Sequence, residues 1–389
     1  MSIRTKLLAA PVLALTLAGP TMALAQSIPS VIITLENGQP SRGVFLTPPW
    51  IGIHDGTFDT YNGGDPADVP LGGDEVERLA EDGDNASITA TFDSATNGGP
   101  QATVLGPGGP LAPGDRAAVT LNVDPAIDRY FSYASMIIPS NDAFAANGNP
   151  LAHQLFDDSG RFVGTDFIVS GEEINDAGTE VNDEIAGNVA FLNQTAPDTG
   201  VDENGVVVAP HPGFLDPAGL TYPDGVLNHP VFANGGQFND PASRVLVVGF
   251  QFVDLGGRVL YSARLTTDAE VQADPVDSTA SGSASLSSRG AETLRIDIDF
   301  RRTTGPLTMA HLHLGQAGTN GPIVVDMSAG IRRDIIRFTA TAADLTGPLA
   351  GGEMLDLLNE LAAGNIYVNL HTDAFPGGEL RGQVGLRDD

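Results

Sequence analysis

Short segments in which apolar and polar residues alternate recur along the chain, and this period of two predicts β-strands. The clearest are residues 30–35, 118–123, 244–253, 258–265, 294–300 and 365–370. Helical spacing of apolar residues is convincing in only two places, residues 74–81 and 352–363. Turns rich in Gly, Pro, Asn and Asp separate the strand segments, as is typical of antiparallel sandwiches. The pattern therefore predicts an all-β fold.

One segment interrupts this pattern and predicts a domain boundary. Residues 266–280 (TTDAEVQADPVDSTA) lack periodicity, contain four acidic residues and a proline, and lie between two pairs of strand segments. They divide the chain into a first module, residues 26–265, and a second module, residues 281–389, both of ordinary domain size. We therefore expect two β-sandwich modules joined by a short linker. No internal repeat is seen.

The N-terminus has the three parts of an export signal. Arg4 and Lys6 precede an apolar stretch at residues 7–18, and Ala23-Leu24-Ala25 forms a small-x-small cleavage pattern. The stretch is short for a membrane span, and no second long apolar run follows. We expect a signal peptide over residues 1–25, a bacterial exporter, and a secreted or periplasmic protein without a transmembrane anchor after cleavage. An uncleaved anchor is the alternative.

The composition narrows the possible partners. Without Arg4 and Lys6, 17 basic side chains face 49 acidic ones, and Lys6 is the only lysine. Such a surface repels nucleic acid and anionic lipid but is compatible with divalent cations. The chain has no cysteine, so disulfides, thiolate nucleophiles and cysteine-bound metals are excluded. Much of the acidity is explained equally well as a solubilising shell.

Two loops of the first module carry candidate calcium ligands. One is Pro139–Gly148 (PSNDAFAANG), which contains Asp142, and the other is NDAGTEVNDE at 175–184, which contains Asp176 and Glu180. Calcium prefers six to eight oxygen ligands in a flexible loop, and Gly178 permits the turn that would bring Asp176 and Glu180 together. An ordinary solvated turn explains the same residues. The histidines His54 and His211 lie in Gly/Pro turns, where a structural role is expected; a rim that recognises a ligand is the alternative.

These loops also resemble a known family. The segments HDGTFDTYNGGDPA, SYASMIIPSNDAFAANG and NDAGTEVND together are similar to the spondin N-terminal domain of the F-spondin/mindin family, in a bacterial form. The resemblance implies a C2-like antiparallel sandwich with calcium at one end. It places the calcium ligands at Asp142, Asp176 and Glu180. Two positions depart from the animal pattern, since Ala143 replaces a tryptophan and Glu180 replaces an aspartate.

The second module carries a histidine pattern. His311 and His313 are separated by Leu312 in a strand segment, so both side chains point to one face, and His371 in a later segment could join them. Three imidazoles on one face suit zinc or copper. The competing interpretation is structural, with the histidines hydrogen-bonded to backbone or to Glu379.

The same module resembles a second family. AHLHLGQAGTNGPIV and YVNLHTDAFPGGELRGQV are similar to the CHRD (chordin-type) domain, over residues 281–385. The resemblance implies a sandwich module of extracellular proteins with no established enzymatic activity. The His-x-His strand has a local likeness to copper-zinc superoxide dismutases, without equivalents of their remaining ligands.

Three functions follow from the sequence. We expect a non-enzymatic, exported calcium-binding protein that acts in adhesion and binds an extracellular protein or glycan, because no nucleophile–base arrangement is recognisable. The alternative is a histidine-metal protein, a copper or zinc binder or a dismutase-like enzyme. A hydrolase site at Asp142 is the least favoured, because the loops are polar and a glycosidase needs one carboxyl kept neutral by burial.

Overall fold

The computed structural model describes residues 29–183, 185–203, 206–214, 223–226, 229–232, 238–254 and 257–387. The expected signal peptide, residues 1–25, lies outside the described residues. The fold is all-β, as predicted, with antiparallel pairing throughout the three sheets. No helix in the described part of the chain is long and apolar enough to cross a membrane.

The first module has two sheets. Its strands, in chain order, are β1 (Ser30–Asn37), β2 (Phe45–Leu46), β3 (Trp50–His54), β4 (Gln101–Thr103), β5 (Arg116–Asn122), β6 (Tyr130–Ile138), β7 (Ala143–Ala146), β8 (His153–Gln154), β9 (Phe167–Ser170), β10 (Ile174–Asp176), β11 (Ala209–Pro210) and β12 (Arg244–Val253). One sheet has the order β5-β1-β12-β9. The other has the order β11-β10-β7-β6-β3-β4, with β2 and β8 paired to β6.

A hydrophobic core joins the inner faces of these sheets. Val31, Ile33 and Leu35 alternate on β1 and pack with side chains such as Ile53 and Phe131 of the opposite sheet. Strands β3 and β6 are buried on both faces. Their continuous apolar and small residues therefore reflect a sheet that is covered on both sides.

Two helices cover the outer face of the larger sheet, α1 (Glu75–Asp82) and α2 (Ala86–Thr96). The first was predicted and the second was not. Ala86–Thr96 is rich in Thr and Ser, which have modest helix propensity, and its apolar residues Ile88 and Phe92 pack into a core with Trp50 and Phe58. Tertiary packing of this i, i+4 pair therefore stabilises a helix that local propensity does not predict.

The second module is built on one ten-stranded sheet. Its strands are β13 (Val259–Thr266), β14 (Ser281–Ser288), β15 (Thr293–Arg301), β16 (Leu307–Leu314), β17 (Ile323–Asp326), β18 (Ile331–Arg332), β19 (Ile335–Thr341), β20 (Ile366–Thr372), β21 (Leu380–Gln383) and β22 (Gly385–Leu386). The order is β17-β16-β20-β21-β13-β14-β15-β19-β18, with β22 on β13. Helix α3 (Met354–Ala362), predicted from the sequence, packs into the core that this sheet encloses.

Strand β13 belongs to this second sheet. The sequence pattern predicts residues 258–265 at the end of the first module, but β13 pairs along its whole length with β14. Residues 267–280 therefore connect two neighbouring strands of one sheet. Strand β13 pairs with β14, which follows this connection in the chain, whereas the preceding strand β12 pairs with β1 and β9.

The modules pack against each other through α3. Ile32, on the outer face of β1, belongs to the second module's core. The Thr120 hydroxyl donates to Asn359 Oδ1 over 2.9 Å, and Asn365 Nδ2 donates to the Arg116 carbonyl over 3.0 Å. The outer face of the smaller sheet is thus used for module–module packing.

The aromatic cluster under α2 gives a stability prediction. The Phe92 ring lies 5.2 Å from Trp50 and 4.9 Å from Phe58, centroid to centroid. We expect Phe92→Ala to lower the free energy of unfolding by about 3–5 kcal/mol, because it leaves a cavity in a closed core. Denaturant unfolding followed by the fluorescence of Trp50, the only tryptophan, measures this change. Phe191→Ala, at a phenylalanine that is 56% exposed, is the control and should leave stability nearly unchanged.

Candidate metal centres

Asp142 lies in the short connection between β6 and β7 and is fully buried. Its Oδ2 accepts long hydrogen bonds from the backbone N–H groups of Thr179 and Glu180, each 3.3 Å. The Asp142 carbonyl also accepts the N–H of Ala177 over 3.1 Å. The sequence predicts a polar, solvated loop here, whereas the strands on either side enclose the carboxyl group completely.

Asp176 is brought beside Asp142 by strand register. Strand β10 pairs with β7 so that Asp176 lies opposite Ala143, the neighbour of Asp142. The Asp176 carboxylate accepts the N–H of Gly178 over 2.7 Å and a hydrogen bond from Asn182 Nδ2. Gly178 has φ of 67°, a left-handed conformation that suits glycine, and thereby turns the chain as the sequence predicts.

The electrostatics of this pair favour a cation. Burial raises the pKa of Asp142 well above its usual range, and the negative charge of Asp176 raises it further. Asp142 Oδ1 is buried and accepts no hydrogen bond from any described residue. A hard divalent cation between the two carboxylates would supply the missing partner and remove the repulsion. The donor set therefore fits calcium.

His211 is the third side chain of this cluster. One atom each of Asp142, Asp176 and His211 lie within 4.8 Å of one another. His211 Nδ1 accepts the N–H of Gly213 over 2.9 Å, so in the neutral ring Nε2 carries the proton and donates to Asn182 Oδ1 over 3.1 Å. Burial lowers the pKa of His211 to about 4 and keeps it neutral. Because Nδ1 accepts from Gly213 and Nε2 donates to Asn182, His211 orients Asn182 and presents no free lone pair to a metal.

The carboxylate of Glu180 lies outside the cluster of Asp142 and Asp176. Its backbone N–H faces Asp142, but its carboxylate is not part of the cluster of Asp142, Asp176 and His211. Glu180 Oε1 accepts the N–H of Gly200 over 2.8 Å, and a Cβ at position 200 would lie 2.0 Å from Glu180 Cδ. The loop reverses direction between Asp176 and Glu180, so the two carboxylates that the sequence analysis grouped point to different surroundings.

The second module brings its three histidines together. His311 and His313 share a face of β16, and β20 pairs with β16 so that His371 is diagonal to His311. The ring centroids are 5.1 Å apart for His311 and His371 and 5.5 Å apart for His311 and His313. One nitrogen of each ring lies within 4.8 Å of the others. Strand geometry thus produces the convergence that the i, i+2 spacing predicts.

Backbone carbonyls fix the tautomers of two of these rings. His371 Nδ1 must donate to the Pro376 carbonyl over 3.0 Å, and His313 Nδ1 must donate to the Gly321 carbonyl over 2.9 Å, because a carbonyl only accepts. Burial lowers the pKa of both histidines, so the rings are neutral and each Nε2 presents a lone pair. His371 Nε2 accepts from His311 Nδ1 over 3.2 Å.

The Nε2 lone pair of His313 has no partner among the described residues. This atom is buried and forms no hydrogen bond with them. Asp326 Oδ1 lies 3.9 Å from His311 Nε2, a position from which it could orient that ring when Nδ1 binds a metal. Glu379 instead accepts from Ser278 Oγ, the Thr304 N–H and Thr372 Oγ1. The three nitrogens therefore fit zinc or copper, and Glu379 has a separate structural role.

Arg381 supports the loop beside the histidines. It is buried, its guanidinium lies 3.5 Å from the Tyr367 ring centroid, and that ring also stacks with His313 at 4.8 Å. The guanidinium donates to Asn320 Oδ1 and to the carbonyls of Gln316 and Thr319. It thus ties β21 to the loop whose Gly321 carbonyl holds His313.

Comparison with known proteins identifies part of the chain. Residues 261–384 match the model of the CHRD domain. The match confirms the CHRD resemblance of the second module, and its start inside β13 agrees with the membership of β13 in the second sheet. No curated protein matches the chain.

The role of Arg381 can be tested by a conservative change. Arg381→Lys keeps the charge but loses the planar donor fork, and we expect a loss of about 1.5–3 kcal/mol in the free energy of unfolding. Thermal unfolding gives the loss, and limited proteolysis should show earlier cleavage near residues 316–321. Arg264→Lys, on the exposed side of β13, is the matched control. Equal stability of the two variants would contradict the assignment.

Proposed function

We propose that this chain is an exported, non-enzymatic calcium-binding protein that uses its calcium-stiffened loops to bind an extracellular protein or glycan. The observation that carries the proposal is the buried pair of Asp142 and Asp176, in which Asp142 Oδ1 has no partner among the described residues. An isolated buried carboxylate is costly unless a cation or a proton compensates it.

Calcium at this pair would join two segments of the loop end. Asp142 follows β6, whereas Asp176 ends β10, so a shared ion would fix the connection at 139–142 against the turn at 177–183. Backbone carbonyls and water would complete the oxygen ligands, since calcium takes six to eight. Glu180 would act through its backbone rather than as a direct ligand.

Two further features support an extracellular role. CHRD domains occur in extracellular proteins, and residues 261–384 match that family. The proposed spondin-like character of the first module, with its signal peptide, points to the same compartment. The formal charge of −30 disfavours nucleic acid as a partner.

A calcium titration tests the first site. We expect calcium to raise the melting temperature of the mature chain, because an ion that binds only the folded state stabilises it by mass action. Asp142→Asn and Asp176→Asn should each remove most of this rise. Asp142→Asn resembles the neutral carboxyl in shape, so the variant should still fold.

The control for this experiment is Asp158→Asn, which removes one charge from a carboxylate that is 93% exposed. It should retain the full calcium response. A wild-type protein that shows no calcium-dependent shift, or a response that survives both loop substitutions, would overturn the first site.

A second candidate function is transition-metal binding by the CHRD histidines. It is favoured by the buried His313 Nε2, whose lone pair has no partner among the described residues. Three neutral imidazoles with oriented outer nitrogens match a zinc or copper site that keeps one open position. Whether such a site serves storage or a dismutase-like reaction depends on the metal.

Substitution of His313 separates metal binding from structure. His313→Asn can keep a donor for the Gly321 carbonyl while it removes Nε2, so a purely structural histidine would tolerate the change. We expect the wild-type protein to retain stoichiometric zinc or copper after dialysis, measured by elemental analysis, and His313→Asn to lose it. His153→Asn, at a histidine stacked on Phe167, should retain the metal. Metal-free wild-type protein after exposure to both ions would leave only the structural interpretation.

A further inference from the structure

A second acidic cluster lies on helix α1, outside the sites described above. Glu77 and Glu81 are one turn apart on this helix, and Asp198 approaches them from a loop. One carboxylate oxygen of each lies within 4.8 Å of the others. Like charges one turn apart destabilise a helix, so this arrangement has an electrostatic cost that needs compensation.

Glu81 distinguishes this cluster from an ordinary acidic surface. Its side chain is only 2% exposed, and its buried Oε2 has no hydrogen-bond partner among the described residues. Burial raises the pKa of Glu81 to about 8; the nearby Thr179 hydroxyl opposes this rise, and the charges of Glu180 and Glu77 add to it. A surface glutamate would turn its carboxylate to water, whereas this one is enclosed and directed into the cluster.

The arginine on this helix offsets the charge of the cluster only in part, because burial and the neighbouring acids still raise the pKa of Glu77. Arg78, on the same helix, forms an ion pair with Asp82 at 2.6 Å. The Asp82 carboxylate also accepts a hydrogen bond from the side-chain Nε2 of Gln194 over 3.2 Å. This bond holds the loop that precedes Asp198 against α1 but leaves the carboxylates of Glu77, Glu81 and Asp198 close to one another.

Glu180 adds a fourth acidic group nearby. The residue is 2% exposed, its Oε2 is a second buried oxygen without a partner in the described part of the chain, and its Oε1 is held by Gly200, two residues after Asp198. Burial raises the pKa of Glu180 to about 7, and the charge of Asp198 adds to the rise. The carboxylate that the calcium loop does not use therefore lies beside the α1 cluster.

We propose that Glu77, Glu81 and Asp198 form a second binding site for a hard divalent cation, calcium, with Glu180 as a neighbouring carboxylate. Only oxygen donors are present in this group, which favours calcium over the metals that histidine binds. The ion would fasten the loop around residue 198 to α1. This site goes beyond the proposed function and does not depend on Asp142 or Asp176.

Calcium stoichiometry in the full mature chain tests the site. Isothermal titration calorimetry of the wild type with calcium chloride should show two bound equivalents. Glu81→Gln and Asp198→Asn should each abolish the same equivalent, the one bound at α1. Asp142→Asn should abolish the other. Asp93→Asn deletes one exposed charge on the adjacent helix α2 and should change neither.

The variants keep the two sites distinguishable. If both Glu81→Gln and Asp198→Asn bind as much calcium as the wild type, the α1 site is overturned, whatever Asp142→Asn shows. If Asp142→Asn has no effect while the α1 variants lose an equivalent, the α1 site stands and the first site fails. Should Glu81→Gln not fold, the exposed Asp198→Asn decides.

Discussion

The loop end of the first module depends on one contact, that between the buried Asp142 carboxylate and the backbone N–H groups of Thr179 and Glu180. It fixes the direction of the chain after Asp176, because two successive N–H groups must face one oxygen. The Glu180 side chain therefore points toward Gly200 and the acidic cluster on α1. Because the hydrogen bonds are long and Oδ1 has no partner among the described residues, they compensate the buried charge only partly. A cation would complete the compensation.

Burial affects the charge of the carboxylates in the acidic clusters differently from that of the imidazoles in the histidine cluster. A buried carboxylate is charged at neutral pH unless its pKa rises, so Asp142 and Glu81 need either a proton or a metal. A buried imidazole can stay neutral at no such cost, and burial does lower the pKa of His311 to about 4. Its orientation is then set by carbonyls, as for His313 and His371. Since both nitrogens of His211 are hydrogen-bonded, the first module offers oxygen ligands and the second offers imidazole nitrogens. This difference favours hard ions in one and zinc or copper in the other.

Local patterns in the sequence predict most of the strands and the histidine convergence, because a period of two fixes which residues share a face. They fail where a distant segment decides the structure. Helix α2 forms because Ile88 and Phe92 find Trp50, and β13 joins the second sheet because β14 follows the acidic connection. His211 enters the Asp142 cluster through the pairing of β10 with β11, which a Pro-His-Pro-Gly turn does not reveal. The spacing of Asp176 and Glu180 indicated a shared site, but it could not show that the backbone, not the Glu180 carboxylate, faces Asp142.

Packing limits where this protein can bind a large partner. The larger sheet of the first module is covered by α1 and α2 on one face and by the smaller sheet on the other. The outer face of the smaller sheet meets α3 through Ile32 and Thr120. Within the described residues of the first module, these packed faces are less accessible to a partner than the loops at the sheet ends. Loops held by few hydrogen bonds lose conformational entropy on binding. An ion bound by Asp142 and Asp176 would order the segments 139–142 and 177–183, and an ion bound by Glu81 and Asp198 would order the loop around residue 198. Both would reduce that cost.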